Sequence, residues 1–332
     1  MKNNKENISI ISKYRGELLG VATLMIVIGH SISIVNFPSI VKKILAYGTV
    51  GVNIFLFLSG IGLYYSLKNK SDKRVFYKKR FMKVFVPYFM IAGIWYGIKY
   101  LIFEDGKILN FLYELSTLSF WMEHLGAWYV AFLIPLYLLY PLYYDYTKNK
   151  CHKYYILMTI LIISFMIYKL NLILYIHLSQ ILSGTVIFII GDYVAQYIYK
   201  NTYNDTKLLL FSILFFIIKT ITPLKNNFYI CDLSTGFLGI AIVILGAKFF
   251  NICSLKRMHK ILVFIGNYSL ESYLYNIFLL QAVKYFKINN KINFFQNVLI
   301  NEVIIYMGVM ILGFLLSINT RKIIDFLTKR YR

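Results

Sequence analysis

The chain has 332 residues, of which 59% are hydrophobic, 18% aromatic and only 15% charged, and its formal net charge at pH 7 is +22. A soluble core cannot bury that much apolar surface, and exposing it would cause aggregation. A nucleic-acid-binding protein concentrates its basic residues on one polar face. Here Lys and Arg lie mostly in short segments between long apolar runs. The composition therefore excludes an ordinary soluble domain, argues against nucleic acid as a partner, and predicts a protein embedded in a membrane.

Ten segments are apolar enough for a membrane-spanning helix, which needs about 20 mostly apolar residues. They cover approximately Gly16–Phe37, Ile44–Leu67, Val84–Phe103, Ala127–Tyr144, Tyr154–Tyr168, Leu178–Tyr199, Leu208–Pro223, Ile230–Phe250, Ile261–Ala282 and Val298–Ile318. The fifth and seventh are short, and Asn110–His124 is a candidate interfacial segment. We therefore predict an all-α integral membrane protein with about ten transmembrane helices. Residues 1–332 are expected to form one transmembrane domain, without a separate soluble domain.

The distribution of Lys and Arg predicts the orientation, because cytoplasmic connections of membrane proteins are enriched in these residues. With the N-terminus inside, the inner segments hold 26 of the 36 basic residues, and eight of these lie between Lys68 and Lys83. Both termini are therefore predicted to be cytoplasmic. No removable signal peptide is expected, because the first apolar run lacks a small-residue cleavage site and many further spans follow it.

The three cysteines are isolated in the sequence and odd in number. The spacing of Cys151, Cys231 and Cys253 resembles neither a zinc site nor a disulfide framework. No metal site is predicted.

The longest predicted outer connection, from Glu104 to Gly126, is acidic. It carries Glu104, Asp105, Glu114 and Glu123 against Lys107 alone. Such a loop could face a hydroxyl-rich or cationic substrate, but an ordinary solvated loop would have the same composition. Both interpretations stay open at this point.

The first predicted span places His30 deep in the hydrocarbon. At 1.5 Å per residue His30 lies about 21 Å beyond Gly16, past the midplane toward the outer side. An ionisable group at that depth is costly and should face a cavity or a partner. Arg15 returns to within about 60° of the same helix face, whereas Glu17 is turned about 140° away from His30. Arg15 and His30 are therefore candidates for one side of a cleft, and a hydrogen bond between helices is the alternative role for His30.

Two further charged features have a structural and a functional interpretation. Glu271 lies near mid-membrane in the ninth predicted span, where a carboxylic acid either packs helices or takes part in chemistry. The densest basic run is the second feature. It either sets the topology and attracts anionic lipid, or binds the phosphates of a cytosolic cofactor.

The order of five motifs along the chain resembles that of the acyltransferase 3 family of bacterial membrane acyltransferases, which modify cell-surface glycans. The motifs are an apolar first helix ending in GHS at His30, then FLSGIGLYYS, FYKKRFMKVFVPY, WYVAFLIPLYLLYP and IGNYSLESYLYN. The resemblance extends from about Tyr14 to Asn276, with weaker matching between Tyr144 and Ile261. It implies a multi-pass protein of the bacterial cytoplasmic membrane that moves an acyl group, usually acetyl, from cytosolic acyl-CoA to a hydroxyl on the far side.

The resemblance also implies roles for particular residues. His30 corresponds to the family's first-helix histidine, Ser59 and Gly60 to its second-helix SG turn, and Arg80 and Lys83 to its pair of arginines three residues apart. The chain departs from the family at three positions. Leu19 stands eleven residues before the histidine, where the family usually has an arginine. Lys83 replaces the second arginine of the pair and cannot bind a phosphate bidentately. Asn276 stands where a histidine is often found. These departures put the roles of Arg15 and Asn276 in doubt.

The leading hypothesis is therefore a membrane-bound O-acyltransferase. His30 would deprotonate the acceptor hydroxyl or carry the acyl group transiently, with Glu271 orienting it and Arg15 as a further catalytic candidate. The expected partners are acyl-CoA as donor, a carbohydrate acceptor and membrane lipid. The CoA phosphates would be held by Arg74, Lys78, Lys79, Arg80 and Lys83. The alternative is a transporter or flippase of a saccharide or small solute that performs no covalent chemistry.

Overall fold

The computed structural model describes residues 9–69, 72–123, 126–147, 150–221, 224, 227–288 and 299–330. These residues form helices and turns but no β-strand, which confirms the predicted all-α class. Their α-helices are α1 (Ile10–Lys13), α2 (Arg15–His30), α3 (Ser39–Ala46), α4 (Val50–Asn69), α5 (Lys73–Arg80), α6 (Val86–Gly97), α7 (Ile108–Leu115), α8 (Leu118–Glu123), α9 (Trp128–Tyr146), α10 (Lys150–Leu170), α11 (Leu172–Tyr199), α12 (Asp205–Ile218), α13 (Phe228–Ile252), α14 (Lys256–Asn267), α15 (Ser269–Ile288) and α16 (Leu299–Arg330).

Short segments of other helical geometry extend or join some of these helices. A 3₁₀ turn, Tyr47–Thr49, joins α3 to α4, and a π-helical segment, Phe81–Phe85, joins α5 to α6. A second π-helical segment, Ile98–Phe103, continues α6. The basic segment before the third predicted span is therefore helical from Lys73 onward and continuous with the span.

Seven helical runs within the described residues are long and apolar enough to cross a membrane. They are Arg15–Ser33, Ser39–Asn69, Lys73–Phe103, His152–Leu170, Leu172–Tyr199, Phe228–Ile252 and Ile300–Leu327. The other predicted spans are also helical but fall short, because α9 is rich in tyrosine, α12 has only 14 residues and α15 carries several polar side chains. The chain is a multi-pass membrane protein. The total of ten spans and the side of the termini remain predictions.

The ninth predicted span, Ile261–Ala282, is two helices instead of one. Helix α14 ends at Asn267 and α15 begins at Ser269. The end of α14 is held by backbone packing: a β-carbon added at Gly266 would lie 2.3 Å from the carbonyl oxygen of Gly16, and one added at Gly20 would lie 2.1 Å from that of Leu262. Side chains larger than hydrogen would prevent this approach of α14 to α2, so glycine is required there.

The residues cluster into two compact units that interleave along the sequence. Unit 1 comprises Met1–Ala22, Thr49–Ser71 and Pro141–Asn267, and unit 2 comprises Thr23–Gly48, Asp72–Tyr140 and Tyr268–Arg332. Each unit is assembled from three separate parts of the chain. The boundary passes through α2, so the candidate residues at its two ends belong to different units.

Unit 1 is built around α4, which packs against α11 and α13. The backbones of α4 and α11 touch at two glycines: a β-carbon on Gly60 would lie 2.2 Å from the carbonyl oxygen of Phe188, and one on Gly191 would lie 2.2 Å from that of Phe57. Gly60 of the SG pair therefore serves close helix packing. Its contacts give no evidence of a role in chemistry.

Unit 2 is built from α6, α15 and α16. A polar seam joins α15 to α16, because the Ser272 hydroxyl donates to Ser317 at 3.2 Å and the hydroxyls of Tyr275 and Thr320 lie 2.7 Å apart. At the end of α2, Gly29 approaches Gly48 so closely that an added β-carbon would lie 2.9 Å from the Gly48 α-carbon. This contact places the segment after α3 beside the position of His30.

Candidate functional site

The buried polar centre of unit 2 is the pair formed by His30 and Asn276. Nδ1 of His30 lies 2.7 Å from Oδ1 of Asn276. Asn276 is 2% exposed, and it lies in α15 while His30 ends α2. Because an amide oxygen only accepts hydrogen bonds, Nδ1 of His30 is the donor in this pair. In the neutral form of the ring, Nε2 then carries the lone pair.

A second set of contacts fixes the direction of the Asn276 amide. Its nitrogen donates to the hydroxyl of Tyr306 at 3.4 Å, and that hydroxyl donates to the carbonyl oxygen of Val27. The amide nitrogen is thereby directed at Tyr306 and the amide oxygen at His30. The chain from Val27 to His30 selects one imidazole tautomer by hydrogen bonding, in the way that histidines in active sites are usually oriented.

Aromatic rings flank the histidine. The rings of His30 and Tyr273 have centroids 6.1 Å apart, and Tyr273 in turn makes an edge contact with Tyr129 at 5.5 Å. Tyr273 is 4% exposed and Tyr129 8%. Tyr129 belongs to the WYVAFL motif and Tyr273 to the SLESYLYN motif, so unit 2 brings two of the sequence motifs to the histidine of a third.

The described contact of Glu271 leads to α16, and its role in orienting His30 stays a prediction. Its carboxylate is fully buried, and Nη1 of Arg321 in α16 lies 3.3 Å from its Oε1. Glu271 and Asn276 are five residues apart on α15, which turns their side chains about 140° from each other. Asn276 is thus the described hydrogen-bond partner of His30, and Glu271 forms an ion pair that joins α15 to α16.

Arg15 lies at the other end of α2, in unit 1. A β-carbon added at Gly62 would lie 3.4 Å from Nη2 of Arg15, so the guanidinium passes directly over this glycine of α4. Its neighbour Glu17 accepts a hydrogen bond from Nδ1 of His259 at 2.9 Å. This bond raises the pKa of His259. A shared cleft for Arg15 and His30 stays a prediction, since the two residues belong to different units.

The five predicted phosphate-binding residues all lie in unit 2. Asp72 caps α5 by accepting the backbone N–H of Arg74 at 2.8 Å, which starts the helix at the beginning of the basic run. Arg74, Lys78, Lys79 and Lys83 are exposed. Arg80 is partly buried, and its guanidinium carbon lies 5.4 Å from the centre of the Phe76 ring and 5.8 Å from that of Tyr137.

Stacking on two rings orients the Arg80 guanidinium. Its Nε is buried and, among the described residues, has no hydrogen-bond partner. An arginine that packs on aromatic rings and has an Nε without a partner among the described residues is suited to bind phosphate, since guanidinium donors match phosphate oxygens. The geometry thus singles out Arg80 within the basic run.

The acidic outer loop is neither freely solvated nor a uniformly acidic surface. Glu114 is 8% exposed, and its carboxylate accepts hydrogen bonds from Tyr100 at 3.0 Å and Ser119 at 3.1 Å. Glu104 forms an ion pair with Lys107 at 3.4 Å. Two of the four acidic side chains are therefore engaged within unit 2.

These observations define the class of protein: a multi-pass helical membrane protein with a tautomer-fixed histidine at one level of unit 2 and a basic helix at another. The family model described as an acyltransferase domain, acyltransferase 3, matches residues 20–320. The chain belongs to the acyltransferase 3 family and is a membrane acyltransferase. Neither the curated proteins nor the solved structures gave a match.

Sequence reasoning missed two contacts of this site. The family resemblance put the role of Asn276 in doubt, because histidine is often found there, and the sequence predicted no partner for Glu271. Both partners are far away in sequence: Asn276 lies 246 residues from His30. A single sequence holds no signal for such a pair. A buried carboxylate does signal that a cation must be near, which could have prompted a search for the partner of Glu271.

Proposed function

We propose that this protein is an O-acyltransferase of the bacterial cytoplasmic membrane that transfers an acetyl group from cytosolic acetyl-CoA to a carbohydrate hydroxyl on the outer side. Membership of the acyltransferase 3 family supports group transfer. The single observation that carries the proposed chemistry is the pair of His30 and Asn276, which leaves Nε2 of a neutral imidazole as a base and nucleophile.

The donor is proposed to bind at the basic helix. CoA carries several phosphates, and charge-assisted hydrogen bonds from Lys and Arg are the usual way to hold them. Arg80 would bind one phosphate from its place on Phe76 and Tyr137, while Arg74, Lys78, Lys79 and Lys83 supply exposed positive charge around it.

Two routes for the acyl group use the same state of His30. As a general base, Nε2 takes the proton of the acceptor hydroxyl, the hydroxyl oxygen attacks the thioester carbonyl, and the carbon–sulfur bond breaks as CoA leaves and receives a proton. As a carrier, Nε2 attacks the thioester carbonyl, the carbon–sulfur bond breaks, and CoA leaves as its thiolate. The acceptor hydroxyl then attacks the acyl group, the bond between Nε2 and the acyl carbon breaks, and the hydroxyl proton passes to Nε2 and from there to the thiolate or to solvent. In both routes the hydrogen bond from Nδ1 to Asn276 keeps Nε2 as the reacting atom.

Release of CoA by the purified protein tests this proposal. Protein in lipid nanodiscs is mixed with acetyl-CoA and a crude preparation of outer-surface glycans, and free thiol is measured over time. The proposal predicts thiol release that depends on glycan and yields an ester cleaved by mild alkali. Absence of thiol release, together with movement of saccharide across a vesicle membrane, would instead establish transport.

Acylation of an amine in place of a hydroxyl would refute the O-acyl assignment. The two products are distinguished by alkali, because an amide survives the treatment that cleaves an ester.

A further inference from the structure

We infer that the acceptor is an anionic saccharide, carrying phosphate or carboxylate, and that four lysines at one end of unit 2 bind its charge. We call these residues the lysine cluster: Lys42 and Lys43 on α3, and Lys284 and Lys287 on α15. The inference rests on the proposed function and adds the substrate class to it.

The position of the cluster is unexpected for a membrane protein. It lies on the predicted outer side, where Lys and Arg are normally scarce because they favour the cytoplasmic side. Ten of the 36 basic residues fall on that side, and four of the ten are in this cluster. The preference of Lys and Arg for the cytoplasmic side explains the positive charge of helix α5. It does not account for positive charge gathered at the opposite end, whereas anion recognition does.

A buried carboxylate brings the cluster together. Glu302, in the first turn of α16, is 7% exposed and accepts the backbone N–H of Asn36 at 2.8 Å. The side-chain oxygen of Asn36 accepts a hydrogen bond from Nζ of Lys42 at 2.7 Å, and Nζ of Lys287 lies 3.9 Å from Glu302. One carboxylate thus ties α3 and the end of α15 to the start of α16. It supplies a single negative charge against the four positive charges of the cluster.

Two of the four carboxylates of the neighbouring acidic loop have partners of their own. Phe103, which precedes this loop, stacks on Tyr285 between Lys284 and Lys287, with ring centroids 6.2 Å apart. The first acidic residue after Phe103, Glu104, pairs with Lys107, and Glu114 is buried among hydroxyls. Lys43 and Lys284 are exposed to solvent at this end of the unit.

The cluster lies close to the reacting histidine. Lys284 follows Asn276 by eight residues on the same helix, which is about 12 Å along its axis. On α3, the segment that ends at Gly48 contacts Gly29, next to His30. One acceptor molecule can therefore present a hydroxyl to His30 while its anionic group contacts the lysines.

A binding experiment without acetyl-CoA tests the inference separately from the chemistry. Purified protein in phosphatidylcholine nanodiscs is titrated with glucose 6-phosphate, glucuronate and glucose, and the shift of its melting temperature is measured. We expect both anionic sugars to raise the melting temperature and glucose to have little effect. The double variant Lys43→Gln with Lys284→Gln should lose the effect, while the matched variant Lys107→Gln with Lys169→Gln should keep it. Equal shifts for all three sugars, or equal shifts in the two double variants, would overturn the inference.

A kinetic arm then uses the same sugars as acceptors. We expect kcat/KM to be about tenfold higher for glucose 6-phosphate than for glucose, and we expect the ratio to fall toward one in the cluster variant and at high salt. If thiol is released with both sugars at equal kcat/KM, the proposed function stands and this inference fails. If neither these sugars nor the glycan preparation supports thiol release, the proposed function fails, whatever the binding result.

A further titration distinguishes the two possible sources of a bound phosphate, a lipid headgroup and an anionic saccharide. The binding titration is repeated in nanodiscs that contain phosphatidylglycerol. If the cluster variant alters only the dependence on this anionic lipid, and leaves the sugar selectivity unchanged, then the lysines bind headgroups and the inference is wrong.

Discussion

In each unit a histidine forms a hydrogen bond between helix α2 and another helix, and the acceptors differ. In unit 1, His259 donates to the carboxylate of Glu17 at 2.9 Å, and in unit 2, His30 donates to the amide oxygen of Asn276 at 2.7 Å. A carboxylate stabilises an imidazolium, whereas a neutral amide oxygen fixes the tautomer of a neutral imidazole. The carboxylate partner of His259 is thus typical of a structural ion pair, whereas the amide partner of His30 suits the base that we propose.

The largest expected effect distinguishes the two histidines by their contribution to activity. His30→Ala should lower acyl transfer by about 10³-fold or more, because the proposed base or carrier is lost. His259→Ala, the matched variant in unit 1, should keep most of the activity, since it removes only the contact with Glu17. Thiol release by both purified variants is the measurement. Comparable losses in the two variants, or a fully active His30→Ala protein that inserts normally, would show that the assignment is wrong.

The next prediction concerns a variant in which His30 has the same kind of partner as His259. Asn276→Asp gives His30 a carboxylate partner like that of His259, which stabilises the imidazolium and removes the base at low pH. The acidic limb of the pH–kcat profile should therefore move to higher pH, with kcat lowered about tenfold near neutral pH. Asn276→Leu should lower kcat without moving the limb to higher pH. A profile that is the same in wild type and Asn276→Asp would exclude positioning by Asn276.

A smaller effect is expected at the donor end of unit 2. Arg80→Gln should raise the KM for acetyl-CoA about tenfold, equivalent to about 1.4 kcal/mol, with little change in kcat. Lys256→Gln, on the exposed start of α14, is the control and should leave KM unchanged. Lys83→Arg restores the second guanidinium of the family's pair and should lower KM. If kcat falls in place of a rise in KM, then Arg80 acts in the chemical step and not in donor binding.

The smallest effect concerns the stability provided by the pair in unit 1. The hydrogen bond to Glu17 raises the pKa of His259 above its ordinary value near 6.5. Its stabilisation is therefore fully present below about pH 6.5 and is lost as the pH rises through the raised pKa of the folded state. The melting temperature of Glu17→Gln should fall further below that of wild type at pH 6 than at pH 8.5. A difference that grows with pH would contradict this sign.

The sequence predicted the features that depend on local composition. The apolar run before His30 was sufficient to place a histidine in a membrane helix, and the positions of most other helices followed in the same way. The break at Tyr268 was missed, because hydropathy is continuous across it while the backbone packing of Gly266 on α2 is a tertiary contact.

The partners within the site could not be predicted for a similar reason. Helical angles predicted that Glu17 faces away from His30, but they do not say which distant helix supplies a partner. The Asn276 contact joins α2 to α15, and the Glu271 contact joins α15 to α16. The family motifs pointed to the helices for which chemistry is proposed, and only the fold identified Asn276 as the partner of His30.

The central claim is that an acyl group enters at the basic helix of unit 2 and is passed to an acceptor on the opposite side of the membrane at His30. Sealed vesicles that enclose radiolabelled acetyl-CoA, with a saccharide acceptor supplied only outside, test it directly. We predict labelled saccharide ester outside and free CoA inside for the wild type, and neither product for His30→Ala. Labelled ester that forms only when donor and acceptor share one compartment would contradict the claim.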